Sequence, residues 1–277
     1  LLREITLIWN ISYRERCELL QKDISSWDDP KLLVYLKESK KKHIQERIIH
    51  MNQQQEVIIY PRKSVSNEFK EIIHPKNNEY FFDVESFLSF DEKQDLVDGS
   101  LNHQEPILGI LGYIHNHEYK DFTIRSYSID EEKQLIQRWY EQLMKHNEDI
   151  YLYHWGNAEK VYMEYIQTRC PELDISKIHL INVLHYFKKE PIIIQGIFSF
   201  GLKQIGKVLY NHQLIQTTWT EKDNGLDSMI EFKEICINHQ KQIPLKRKSE
   251  IQQIIEYNRI DCQVLYEIVL FLRGRYL

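Results

Sequence analysis

Residues 79–85 (Glu-Tyr-Phe-Phe-Asp-Val-Glu) restrict the fold of this chain more than any other segment. A short, nearly continuous apolar and aromatic run is typical of a β-strand that is covered on both faces. The run ends in two acids, Asp83 and Glu85, which are separated by one residue. Side chains on a strand alternate with a period of two, so we predict that both carboxylates point to the same side of the sheet.

The sequence beyond this strand alternates between strand and helix patterns. Three meandering strands, followed by alternating helices and strands, predict an α/β fold with a mixed five-stranded sheet flanked by helices. The other strand candidates are 107–114, 122–127, 150–154 and 178–184, with a hairpin turn at 115–118. Apolar spacing predicts helices over 131–145, 158–168, 202–210, 228–239 and 249–272.

The first part of the chain has a different pattern. Residues 1 to about 50 are predicted to form short helices, including one over 31–42 that follows a cap and a proline at 26–30. The polar segment 67–78 is predicted to be a linker. We therefore expect a small helical accessory segment with its linker over residues 1–70 and one larger domain over residues 78–277.

Charge and cysteine content exclude several classes of protein. The 277 residues include 36 basic and 41 acidic side chains, a net charge of −5, which argues against a purely electrostatic nucleic-acid binder but not against an enzyme that acts on nucleic acid. The four cysteines form no Cys-x-x-Cys pair, so neither a zinc site nor a disulfide framework has support, and a reducing intracellular compartment is expected. No apolar run approaches the ~18 residues of a membrane span, so no membrane partner is expected.

Asp83 and Glu85 are candidate metal ligands. Acids at the end of a hydrophobic strand are costly unless they are paired or bound to metal. Hard divalent cations such as Mg²⁺ are bound by carboxylate oxygens. An isolated Asp-x-Glu step is more often a strand that simply ends in a polar loop, so the interpretation needs support from elsewhere in the chain.

Two later segments supply that support. Tyr257 and Asp261 are four residues apart on the predicted last helix and therefore share a face. Glu159 lies in the first turn of a predicted helix that follows the strand 150–154 and a turn at Gly156. Each has a plainer explanation: a packed tyrosine beside a solvated acid, and a glutamate that caps a helix N-terminus.

The three segments together, in this order, resemble the motifs of the DEDD superfamily of 3′–5′ exonucleases, also called DnaQ-like. Those motifs are Asp-x-Glu on the first strand, an acid about five residues after a His or Asn at a strand end, and Tyr-x-x-x-Asp on the last helix. The matching residues are Asp83 and Glu85, then His154 and Glu159, then Tyr257 and Asp261.

A closer resemblance is to the ribonuclease-H-like domain of predicted RecB-family nucleases. It implies a ribonuclease-H-like exonuclease domain over residues 78–277 and a helix-hairpin-helix-like accessory segment over residues 1–70. The segments that carry it are 153–160, 200–205, 226–229 and 256–262 in the domain, and 4–9 and 24–30 in the accessory segment.

The resemblance implies a two-metal mechanism with Mg²⁺ or Mn²⁺ that hydrolyses terminal phosphodiester bonds of DNA or RNA and releases nucleoside 5′-monophosphates. By resemblance, Asp83 bridges both cations, and Glu85 and Asp261 complete the first site. Glu159 supports the second cation, and the neutral phenol of Tyr257 orients the attacking water.

Substrate contacts are less clear from the sequence. The expected partner is single-stranded or end-frayed nucleic acid. Lys246, Arg247 and Lys248 precede the last helix and could meet phosphates, although a solvated basic loop explains them as well. His154 is expected to shape the cleft, and Trp155 to stack on an unpaired base unless it is buried in the core.

Two departures from the family pattern keep other functions open. Glu159 stands where most of these exonucleases have Asp, and residues 9–12 lack the glycines of a phosphate-binding hairpin. The alternatives are a catalytically impaired binding or scaffold domain of a larger repair- or helicase-linked protein, and a structure-specific endonuclease that uses the same metals. Further expected partners are domains of a longer RecB-like nuclease or helicase, in an intracellular, cytoplasmic or nucleoid-associated setting.

Overall fold

A computed structural model describes residues 3–36, 40–54, 59–62, 65–87, 107–220, 234–235 and 249–277. The α-helices are α1 (Tyr13–Leu20), α2 (Leu32–Tyr35), α3 (Lys40–Gln53), α4 (Asn67–Ile73), α5 (Ile129–Leu143), α6 (Ala158–Arg169), α7 (Val183–Lys189), α8 (Leu202–Asn211) and α9 (Ser249–Tyr276). The β-strands are β1 (Ile59–Tyr60), β2 (Glu79–Phe87), β3 (Ile107–His115), β4 (Glu118–Thr123), β5 (Ile150–His154), β6 (Ile178–Asn182) and β7 (Ile193–Ile194). None of the helices in these ranges combines the length and the apolar character of a membrane span.

The chain divides into two compact units. One, called the sheet unit, consists of residues 75–182 and 219–266. The other, called the terminal unit, consists of residues 1–74, 183–218 and 267–277. The sequence predicts a single boundary between residues 70 and 78. In the structure, two later stretches, 183–218 and 267–277, belong to the same unit as the N-terminal residues.

The terminal unit is held together by pairing between distant segments. β1 and β7 form a two-stranded antiparallel sheet in which Ile59 lies opposite Ile194. The ring of Trp9 lies 5.5 Å from that of Phe200 in an edge-on arrangement. Such contacts bury apolar surface of the 183–218 stretch against residues of the N-terminal stretch, so the unit contains more than the predicted helical segment.

The sheet unit is built on a five-stranded mixed sheet with the order β4-β3-β2-β5-β6. β2, β3 and β4 are antiparallel neighbours, whereas β5 and β6 run parallel to β2. The turn between β3 and β4 has positive φ angles at Asn116 (51°) and His117 (67°), which suit a two-residue hairpin loop. The predicted α/β class with a five-stranded mixed sheet flanked by helices is confirmed, as is the hairpin.

β2 occupies the centre of the sheet and is covered on both faces. Phe82 packs against Trp139 of α5, with ring centroids 5.6 Å apart. Phe81 points to the opposite face, where its ring lies 4.9 Å from that of Tyr266 in α9. Because odd-numbered residues of β2 face α9, Asp83 and Glu85 are directed toward the same helix.

Some predicted elements differ from those observed. The predicted linker 67–78 contains α4, because the Ser66 side chain accepts a hydrogen bond from the Phe69 N–H at the helix start and Phe69 and Ile73 are buried. The predicted strand 122–127 is found earlier, at β4, because the tight hairpin sets its register. The predicted helix 31–42 is two helices, α2 and α3. Of the predicted helix 228–239, only residues 234–235 are described, and they are helical.

Candidate metal centre

Three carboxylates meet beside the central strand. Asp83 and Glu85 of β2 and Asp261 of α9 each offer an oxygen within 4.8 Å of the others. Glu85 and Asp261 are each only 8% exposed, and Asp83 is half-buried. Like charges this close repel one another strongly where little water screens them, so the cluster calls for a positive partner.

Strand alternation places the two acids of β2 on one side of the sheet. The pairing of β2 with β3 shifts register between Glu85 and Ser86, where Gly109 is an extra residue of β3. Such an extra residue bends its own strand, here β3, beside the acids. β5 runs parallel to β2, so β5 ends at His154 on the same edge of the sheet, and α6 begins there.

The electrostatics of the cluster act most strongly on Asp83. Burial, followed by the nearby charges of Asp261, Glu85 and Glu159, raises the pKa of Asp83 well above its usual range. Without a cation, this carboxyl is therefore reluctant to ionise. A bound cation would reverse the balance, because it favours the charged form.

Tyr257 lies one turn before Asp261 on α9 and hydrogen-bonds to it. Burial, followed by the charges of Asp261, Glu85 and Asp83, raises the pKa of Tyr257 far above its ordinary value. The hydroxyl therefore stays neutral at physiological pH. It can orient a polar group through a hydrogen bond, but it does not act as a base in this state.

Glu159 lies beside the cluster and is paired with His154. Its Oε2 is 3.2 Å from Nδ1 of His154, and the two residues are only 5% and 1% exposed. The charge of Glu159 contributes to the raised pKa of Asp83, so the two carboxylates are within electrostatic range. Of the four predicted acids, three thus form the cluster, and the fourth lies near it in the first turn of α6.

The predicted substrate-contacting residues have different positions. His154 is buried, with its Nδ1 beside the carboxylate of Glu159. Trp155 is half-buried at the turn that precedes α6, followed by Gly156 with a φ of 117°. Lys246, Arg247 and Lys248 lie outside the described residues.

Asn258 is a site residue that the sequence analysis missed. It is fully buried on α9, and its Nδ2 donates a hydrogen bond of 2.9 Å to Oδ2 of Asp83. The Tyr119 hydroxyl of β4 donates to Oδ1 of the same amide at 2.9 Å. A sequence signal existed, because Asn258 falls within the apolar stripe of the last helix, where a polar residue must find partners.

Trp219, Ser86 and Tyr162 complete the surroundings of the acids. The indole N–H of Trp219 donates to Oδ1 of Asp261 at 2.6 Å. The hydroxyls of Ser86 and Tyr162 are 2.6 Å apart, and Tyr162 lies one turn after Glu159 on α6. Burial is the largest cause of the raised pKa of Tyr162, and the nearby acids add to it. No local pattern in the sequence marks these contacts.

Comparison of the chain with protein-family models, with curated proteins and with solved structures finds no match. The chemistry of this site is therefore argued from its own residues. They are three clustered carboxylates, a fourth acid within electrostatic range and a neutral tyrosine hydroxyl.

Proposed function

We propose that this chain is a metal-dependent nuclease, a 3′–5′ exonuclease that hydrolyses phosphodiester bonds of DNA or RNA with two divalent cations. One observation carries the proposal: Asp83, Glu85 and Asp261 offer oxygens within 4.8 Å of one another. Acids that are distant in sequence rarely converge in this way without a cation, because each loses hydration and repels the others.

The chemistry of the donor set fits Mg²⁺ or Mn²⁺. All three clustered ligands are carboxylates, the hard oxygen donors that these cations prefer, and no His or Cys belongs to the cluster. Asp83, Glu85 and Asp261 would hold one cation. Asp83 and Glu159 would hold the other, and this position is the less complete because Glu159 also pairs with His154.

When bound, the cations supply an ionisable water and stabilise negative charge at phosphorus. The protein's own groups do the rest. The neutral hydroxyl of Tyr257 orients the attacking water by a hydrogen bond. The indole of Trp219 and the amide of Asn258 each donate to one carboxylate, which limits the rotation of Asp261 and Asp83.

The arrangement of strands agrees with this function. We infer a ribonuclease-H-like fold for the sheet unit, supported by three antiparallel strands on one side of the sheet and two parallel strands on the other. In this arrangement the central strand carries Asp83 and Glu85, and the last helix carries Asp261. These two segments, together with the junction of β5 and α6 that carries His154 and Glu159, hold the motifs that resemble those of DEDD exonucleases.

The proposal is tested with linear, 5′-labelled single-stranded DNA and RNA in Mg²⁺, in Mn²⁺ and in EDTA. We expect shortening from the 3′ end and release of nucleoside 5′-monophosphates with metal only. Asp83→Asn and Asp261→Asn, prepared in parallel, should lack the activity while remaining folded. Absence of hydrolysis by the wild type in either metal contradicts the proposal and favours a binding or scaffold domain.

A circular single strand separates the two kinds of nuclease. An exonuclease leaves the circle intact, whereas an endonuclease linearises it. If the wild type cleaves the circle and Asp83→Asn does not, the proposed metal site stands, but the function is that of a structure-specific endonuclease.

A further inference from the structure

Asn258 is a buried amide whose two ends are both hydrogen-bonded. Its Nδ2 donates to Oδ2 of Asp83 at 2.9 Å. Its Oδ1 accepts from the Tyr119 hydroxyl at 2.9 Å, and the Cys262 thiol lies 3.8 Å from the same oxygen. An ionised carboxylate only accepts hydrogen bonds, so the N–H group of the amide must point toward Asp83, and its oxygen faces the hydroxyl and the thiol, which can donate.

Gly112 provides the space for this amide. It lies on β3 directly opposite Asp83 of β2. A Cβ atom at position 112 would lie 1.8 Å from Oδ1 of Asn258 and 2.8 Å from the Tyr119 hydroxyl. A glycine inside a strand weakens the strand, and here it allows the Asn258 side chain to lie against the sheet.

We propose that Asn258, held by Tyr119 and accommodated by Gly112, is the positioning residue that sets the orientation of Asp83 for the cations. This inference rests on the proposed metal site and adds the residue that orders it. An aspartate carboxylate can rotate about the Cβ–Cγ bond unless a hydrogen-bond donor fixes one of its oxygens. The backbone N–H of Val84 also bonds to this carboxylate, and Asn258 fixes Oδ2, so the direction of Oδ1 toward the cations is set as well.

An amide suits this position better than an acid or a hydrocarbon. It donates an N–H to a carboxylate, and such charge-assisted hydrogen bonds are stronger than neutral ones. An aspartate at 258 would add another negative charge beside Asp83, Glu85 and Asp261 and, when ionised, would offer no hydrogen-bond donor. An alanine would leave Asp83 without this donor.

The inference predicts that variants without this hydrogen-bonded amide still fold but bind metal more weakly. In Asn258→Ala we expect the affinity for Mn²⁺ to fall roughly 10- to 100-fold, as for other groups that orient metal ligands. Tyr119→Phe keeps the aromatic ring and removes the hydroxyl, so its loss should be smaller and in the same direction. Raising the Mn²⁺ concentration should restore nucleolytic turnover in both variants.

Asn52→Ala is the matched control. Asn52 belongs to the terminal unit, where its Nδ2 donates to the carbonyls of Ile48 and Ile197, both at 2.9 Å. This substitution removes an equally well-bonded amide far in sequence from the acids. It should lower the stability of the fold and leave the affinity for Mn²⁺ unchanged.

The test is a titration of full-length wild type and the three variants with Mn²⁺, in which electron paramagnetic resonance counts the free ion and circular dichroism verifies folding. The expected result is weaker binding by Asn258→Ala and Tyr119→Phe only. An unchanged affinity for Mn²⁺ in a folded Asn258→Ala overturns the inference. If the alanine variant does not fold, an unchanged affinity in Tyr119→Phe does so. In either case, binding by the wild type leaves the proposed function standing. A wild type that binds no Mn²⁺ overturns the metal site itself.

Discussion

The indole N–H of Trp219 donates a hydrogen bond of 2.6 Å to Oδ1 of Asp261. Both side chains are buried, and they come from positions 42 residues apart in the chain. Asp261 shares its cluster with Asp83 and Glu85. The indole therefore fixes one carboxylate of the candidate metal centre, in the way that Asn258 fixes another.

Trp219→Phe tests the importance of this hydrogen bond. The substitution keeps an aromatic ring in the buried position and removes the N–H donor. We expect the affinity for Mn²⁺ to fall about 10-fold, near the lower end for groups that orient ligands. Equilibrium dialysis against Mn²⁺ measures it. Trp27→Phe, whose indole packs edge-on against Phe198 in the terminal unit, is the control and should bind as the wild type does.

Asp83→Asn should stabilise the metal-free protein at neutral pH. The pKa of Asp83 is raised in the folded state, so the folded protein binds this proton more tightly than the unfolded chain does. The stabilising contribution of the protonated carboxyl is complete below the unfolded pKa of about 4 and is lost as the pH rises through the raised pKa. At neutral pH a charged Asp83 opposes folding, and the neutral amide removes that cost.

The measurement is denaturant unfolding in EDTA of the wild type and Asp83→Asn, at about pH 5 and about pH 8. The stability advantage of the variant should be larger at the higher pH. An Asp83→Asn protein that is less stable than the wild type at the higher pH contradicts the electrostatic description of the site.

Gly112→Ala should destabilise the fold because its new Cβ meets the side chain of Asn258. Overpacking of this kind costs about 1–3 kcal/mol. Asn258→Ala removes the atoms that clash, so the double variant should be less destabilised than the sum of the two single variants. Urea unfolding of the four proteins measures the coupling, and strictly additive losses would show that the two positions do not share this contact.

Glu159→Gln separates the two explanations of this acid. The amide keeps the length of the side chain and can still bond to His154, but it carries no charge to bind a cation. If Glu159 supports a cation, hydrolysis at saturating Mn²⁺ should fall by about 10²-fold or more. A variant with wild-type turnover would mean that Glu159 only stabilises the N-terminus of α6.

The sequence predicts the parts of the site that depend on local periodicity. The period of two places Asp83 and Glu85 on one side of β2, and helical spacing places Tyr257 on the same face as Asp261. These relationships are confirmed by the clustering of the acids and by the hydrogen bond between the two helix residues.

Contacts between distant segments could not be predicted in the same way. Asn258 and Asp83 are 175 residues apart, and the apolar stripe indicates only that Asn258 needs a partner. β1 and β7 are strands of two residues, too short to carry a pattern, yet their pairing joins 183–218 to the start of the chain. Which distant segments pair with one another depends on the whole fold and is not set by local sequence patterns.

The central claim is that the carboxylate cluster binds divalent metal, and calorimetric titration with Mn²⁺ tests it most directly. We expect saturable binding by the wild type, and loss of that binding in both Asp83→Asn and Asp261→Asn while circular dichroism reports an intact fold. Wild-type protein that takes up no Mn²⁺, or an Asp83→Asn variant that binds it as tightly as the wild type, would contradict the account.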